Sequence, residues 1–154
     1  MKKNTSPYKH IINSQQFDEG FIKKVFKITD FMKGHENEVE GELKHKIISL
    51  LFYQPSTRTR FSFEAAAKLL GASTLMTESA ELFSSVSKGE TLQDTIKIVS
   101  GYSDFIVLRH KDNDSSEVAA SVSDVPVINA GSGTGQHPTQ ALLDLYTIYN
   151  NFKK

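Results

Sequence analysis

The chain has 154 residues, enough for one ordinary domain with a single sizeable core, and its 38% hydrophobic and 23% charged content is that of a globular protein. Eighteen Lys and Arg balance eighteen Asp and Glu, so no net field favours nucleic acid or acidic membranes, and the absence of cysteine excludes disulfides and thiolate chemistry. Residues 1–7 are polar and basic with no apolar run after them, and no stretch approaches the ~20 apolar residues of a membrane span, so a cytoplasmic protein binding neither membrane nor nucleic acid is expected.

Phe17, Phe21, Val25, Ile28 and Met32 recur at helical spacing and predict a first helix, with Ser14 as its N-cap and Gly34 as its stop. The apolar run at residues 47–53 predicts a strand covered on both faces. Residues 59–70 predict a helix stopped by Gly71, and residues 74–76 a weaker strand. A serine-rich loop at 78–88 leads to a helix at about 90–100 and a buried strand at 105–108. A short helix at about 116–121 and a strand at 125–129 follow, the strand carrying Pro126 near its start and therefore expected at a sheet edge or entering the ladder late. The glycine-rich turn at 131–135 opens a last helix, with Pro138 in its first turn and Leu142, Leu145 and Tyr149 among its apolar positions.

This alternation predicts an α/β fold: one three-layer domain, 1–154, with a central parallel sheet flanked by helices. In such sheets ligands collect beyond the carboxyl ends of the strands. Three polar segments follow strands there: residues 56–60, Arg109 with His110, and residues 136–140.

Ser56, Thr57, Arg58, Thr59 and Arg60 sit between a strand and a helix start, where free N–H groups, hydroxyls and a bidentate guanidinium all favour an anion. The bland alternative is a capped helix with solvated arginines. Arg109 follows an apolar strand and is either a ligand or ordinary surface. His137 precedes a helix, where the dipole disfavours imidazolium and keeps a neutral donor, or it is an ordinary histidine of a first helical turn; Gln140 lies three residues on along the same face. The glycine-rich turn misses both the P-loop ending and GxGxxG spacing, and reads as a tight turn. Lys88, near Ser84, Ser85 and Ser87, is on composition alone a solvated lysine.

Residues 52–64, FYQPSTRTRFSFE, resemble the carbamoyl-phosphate signature of the aspartate and ornithine carbamoyltransferases, and residues 137–144, HPTQALLD, resemble that family's second signature. Residues 88–95 (KGETLQDT), Leu108-Arg109-His110, and Asn129-Ala130-Gly131 before Gln136-His137 are similar to the aspartate branch, while ornithine enzymes differ at these places. The resemblance covers nearly the whole chain and is weakest before Lys46.

It implies that Ser56, Thr57, Arg58 and Thr59 hold the phosphate, with Thr59 also near the carbonyl oxygen. It implies further that Arg109 bridges phosphate and carbonyl oxygens, His137 donates to the carbonyl oxygen, and Gln140 binds the carbamoyl amide. Ser84 and Lys88 would be lent to a neighbouring subunit's site in a homotrimer. The implied reaction is attack of the L-aspartate amine on carbamoyl phosphate in pyrimidine synthesis, with no metal or organic cofactor. A regulatory chain is a further partner that the resemblance leaves open.

Two departures stand out. Family catalytic chains are about twice this length, as two ordinary domains require, so these residues are expected to hold the carbamoyl-phosphate half without the aspartate half. Gln54 stands where well-known members have a glutamate that pairs across the domains. A catalytic protein of which this is one part and a non-catalytic, self-assembling module that binds carbamoyl phosphate both fit these residues.

Overall fold

The computed structural model describes residues 8–78 and 89–152. Strands β1 (Ile47–Phe52), β2 (Ser73–Glu78), β3 (Phe105–His110) and β4 (Val127–Ser132) pair in parallel in the order β2-β1-β3-β4. The helices are α1 (Glu19–Met32), α2 (Glu36–Val39), α3 (Thr57–Leu69), α4 (Leu92–Ser100), α5 (Ser115–Val122) and α6 (Pro138–Asn151), with a 3-10 turn at Ser14–Gln16. The chain leaves β1 for β2 on one side and then crosses back to β3 on the other. The carboxyl ends of β1 and β3 therefore form a topological switch point, the place where a parallel sheet opens a crevice.

Period-two alternation splits the core between the two faces of the sheet. Leu51 and Tyr53 of the β1 end, Ile106 and Leu108 of β3 and Val127 of β4 pack with Ile96 of α4 and Ala119 of α5. On the other face Ile48, Leu50 and Phe52, Val107 and Ala130 pack with Ala67 of α3 and Ala72. Ile106, Val107 and Leu108 are wholly buried, as a central strand covered on both faces requires. The predicted three layers are present.

Several boundaries differ from the sequence expectation. Helix α1 starts at Glu19, because Asp18 accepts a hydrogen bond from the Phe21 N–H and caps it, while Ser14 belongs to the 3-10 turn. Its buried residue is Phe26, against Tyr146 and Tyr149 of α6, whereas Ile28 is 44% exposed. Helix α3 begins two residues earlier than expected, at Thr57, and ends before Gly71, whose φ of +82° suits the left-handed stop. Both β3 and β4 run further than predicted, so Arg109, His110, Gly131 and Ser132 are strand residues. Strand β4 lies at the sheet edge and starts just after Pro126, as that proline implied. Its outer edge is partly covered by Ile11, which donates to the Val127 carbonyl and accepts from Asn129 N–H, each at 2.8 Å.

The correction on α1 is testable. Phe26→Ala is expected to lower unfolding free energy by about 3–5 kcal/mol, and Ile28→Ala by less than about 1 kcal/mol. Urea denaturation measures both, and equal losses would return Ile28 to the buried face.

Candidate active site

The loop after β1 turns directly into α3. Ser56, its N-cap residue, has extended backbone angles (φ −161°, ψ 90°) and makes no side-chain cap. The leading N–H groups of an α-helix have no intrahelical acceptor, so this uncapped end presents donors and the positive end of the dipole. Thr57 and Arg58 are exposed there, and Ser56 and Thr59 half-buried. Arg60 points elsewhere, its guanidinium carbon 4.7 Å from the Phe61 ring centroid.

Arg109, the penultimate residue of β3, lies opposite Phe52 of β1. Its Nη1 donates to the Ala130 carbonyl at 2.9 Å, while its Nε is buried without a hydrogen-bond partner. The guanidinium lies against Gly131: a Cβ built there would sit 2.5 Å from Nη1 and 3.4 Å from His137 Cδ2. Gly131 also holds a φ of +117°, closed to ordinary side chains. What reads in sequence as part of a tight turn is thus the floor on which Arg109 and His137 rest.

His137 occupies the N-cap position of α6, without a side-chain cap, and Pro138 follows at the first helical position. Burial first, and the neighbouring Arg109 charge second, lower its pKa from the ordinary value of 6.5, which favours neutral imidazole at physiological pH. Thr139 Oγ1 lies 3.4 Å from Nδ1. Gln140 Nε2 donates to Asp144 Oδ1 at 2.9 Å, which turns its amide so that Oε1 is the end left to accept from a ligand N–H.

Ser56, Thr57, Arg58, Thr59, Arg109, His137 and Gln140 all line one cleft of about 890 Å³. Its far wall is apolar, built from Phe26, Phe63 and Leu142 among others. Three segments separated by up to 84 positions in sequence (140 − 56) therefore meet at the switch point. Ser84 and Lys88 lie outside the described residues. No group of three His, Asp or Glu that suits a metal ion occurs among the described residues. The arrangement turns the Arg109 guanidinium and the α3 end toward a cleft large enough for a phosphate-sized anion, with the His137 imidazole beside them.

In the sequence, Asn129 and Gly131 stood out only as marks of the aspartate branch, not as supports of this site. Gly131 carried a signal only in its residue type. Asn129 carried a clearer one, a polar residue within the run Val-Ile-Asn-Ala; its side chain is fully buried and accepts from Gly131 N–H at 2.8 Å.

Residues 9–150 match the family model for the aspartate/ornithine carbamoyltransferase, carbamoyl-P binding domain. The chain is 49% identical over 146 residues to aspartate carbamoyltransferase 2, chloroplastic, of Pisum sativum, covering 94% of this chain and 38% of that protein. It is 51% identical over 140 residues to the aspartate carbamoyltransferase catalytic subunit of Methanosphaerula palustris, covering 91% and 46%. Aspartate transcarbamoylase from Trypanosoma cruzi, solved with carbamoyl phosphate and aspartate, superposes with a TM-score of 0.88 at 39% identity, over 95% of this chain and 48% of that one. The chain thus spans less than half the length of these relatives.

Two outcomes follow from the geometry. Arg109→Ala is expected to weaken phosphate binding by about 1.5–3 kcal/mol, and Gly131→Ala by a comparable amount because its methyl displaces the same guanidinium. Calorimetric titration decides this, and undiminished binding by a folded Gly131→Ala protein would contradict it. In an NMR titration the His137 ring should protonate below 6.5, and bound phosphate should move that midpoint upward by favouring the cation. By linkage, the depressed pKa makes its stability contribution fully present above 6.5 and lost as pH falls through the lower, folded-state value.

Proposed function

Because the chain belongs to the aspartate/ornithine carbamoyltransferase family, as its carbamoyl-phosphate-binding domain, we propose that it supplies the carbamoyl-phosphate half of an aspartate carbamoyltransferase active site. The complete site would make N-carbamoyl-L-aspartate and phosphate from carbamoyl phosphate and L-aspartate, in pyrimidine biosynthesis. The observation that carries this reading is the convergence of the uncapped α3 end, Arg109 with its unpartnered buried Nε, and His137 on one cleft. The relatives reported above are named for the aspartate reaction, which favours aspartate over ornithine as acceptor.

In this reading the phosphate sits over the start of α3, held by Ser56, Thr57, Arg58 and Thr59, and Arg109 reaches from phosphate to carbonyl oxygen. The amine of aspartate forms a bond to the carbonyl carbon, and negative charge grows on the carbonyl oxygen. Arg109, Thr59 and neutral His137 are donors aimed at that charge, already fixed before it develops, which is the main source of electrostatic catalysis. Collapse of the adduct breaks the bond to the phosphate oxygen, and the released phosphate carries away the proton that the amine loses. Gln140 accepts from the carbamoyl N–H₂ through Oε1 and fixes which way the carbonyl points. Holding both reactants supplies the proximity term.

Ser84 and Lys88 complete the proposal as groups given to the site of a neighbouring subunit in a homotrimer. A cation brought in this way stays solvated until the neighbouring anion is present, avoiding the cost of a buried, unpaired charge. Location is read as cytoplasmic from composition. No helix among the described residues is long and apolar enough to cross a membrane.

The test has two parts. The 154-residue polypeptide should bind phosphate or carbamoyl phosphate but make no carbamoyl aspartate; turnover above an Arg58→Ala control would refute the half-site. In the full polypeptide carrying this sequence, Lys88→Ala and His137→Ala should each be nearly inactive, and mixing them should restore activity. Failure to restore it despite proven subunit exchange would reject the shared site.

A further inference from the structure

We propose that Asn129 is a positioning residue for catalysis, a clamp that holds the Arg109 and His137 halves of the site in register without touching substrate. This rests on the functional reading above and adds a residue to it. Asn129 is fully buried in β4, opposite Leu108, one residue before the ladder irregularity between Leu108 and His110. Its Oδ1 accepts from Gly131 N–H at 2.8 Å. Its Nδ2 faces three acceptors: the Ile12 carbonyl at 2.9 Å, Ser132 Oγ at 3.2 Å and the Gln136 carbonyl at 3.3 Å. One amide thus ties down the N-terminal segment, the residue on which the Arg109 guanidinium rests, and the residue just before His137.

The surrounding bonds reinforce that assignment. The Gln136 carbonyl also accepts from Ser132 N–H at 3.0 Å, closing the turn at its base. The Gln136 side chain in turn accepts from Ser14 N–H at 3.3 Å and Ser14 Oγ at 3.1 Å. The N-terminal segment before α1, where the sequence resemblance is weakest, therefore buttresses the turn that presents His137. Only an Asn supplies both an acceptor and two donors on so short a stem. Leucine or valine would fill the space but leave the Gly131 N–H unmet, and aspartate would face carbonyl oxygens with no hydrogen to give.

The alternative is that Asn129 merely stabilises the strand, so the test must separate position from stability. In the full polypeptide carrying this sequence, Asn129→Asp and Asn129→Ala are compared with Val127→Ala, a buried truncation on the same strand outside the site. At temperatures where all are folded, both Asn129 variants are expected to lower turnover at saturating substrate at least tenfold. They should also move the NMR titration of His137 upward. Val127→Ala, whatever its loss in melting temperature, should do neither. If the Asn129 variants do not fold, Gln136→Ala, half-buried at the outer side of the clamp, is expected to shift the same two readouts in the same direction. Folded Asn129 variants with unchanged turnover and titration would overturn the clamp. Arg109→Ala and His137→Ala run alongside: if these abolish turnover while the Asn129 variants do not, only the clamp fails. If neither affects turnover, the functional reading itself fails.

Discussion

Arg109 lies at the end of the central strand with one N–H bonded to the Ala130 carbonyl and its Nε buried without a partner. A buried donor left unmet costs about 1–3 kcal/mol, more when the group is charged. Folding tolerates this because β3 is paired on both sides and wholly buried through Ile106, Val107 and Leu108, which fixes the backbone that carries the arginine. In the proposed reading, a bound anion would satisfy that donor and neutralise that charge at once. The rest of the site is arranged around the unmet donor: Gly131 leaves room for the guanidinium, and β1 ends beside it, where α3 opens toward the same space.

The same guanidinium also governs the histidine. Together with burial it disfavours a second cation on His137, which favours a neutral imidazole beside the Arg109 charge. In the proposed reading, gripping an anion falls to Arg109 and polarising a neighbouring carbonyl to His137, whose neutral form is favoured by burial and by the Arg109 charge. Parallel pairing brings them together, since β3 and β4 are neighbours in the sheet and their carboxyl ends lie on the same side.

Much of this was legible in sequence because its signals are local. The apolar runs of β1 and β3 showed buried strands, and Ser-Thr-Arg-Thr between a strand and a helix pointed to residues that do line the cleft. What was not legible is set by tertiary contact. The helical period was right for α1, but Phe26 rather than Ile28 faces inward, because Tyr146 and Tyr149 approach from α6, distant in sequence. Strand β4 extends through Gly131 and Ser132, residues that single-sequence reasoning assigns to a turn, because Asn129 and the Gln136 carbonyl satisfy their N–H groups from the side. The importance of Gly131 is a matter of what would collide with its absent side chain, which no pattern within the loop contains.

In the proposed reading the anion binds where β1, β3 and β4 end, between the start of α3 and Arg109, and not in the glycine-rich turn. Backbone amide chemical shifts followed during titration with carbamoyl phosphate locate it directly. The largest saturable changes are expected at Thr57, Arg58, Thr59 and Gly131, together with the Arg109 Nε–H, which gains a partner. Changes centred on Gly133, Thr134 and Gly135, with the Arg109 Nε–H undisturbed, would contradict it.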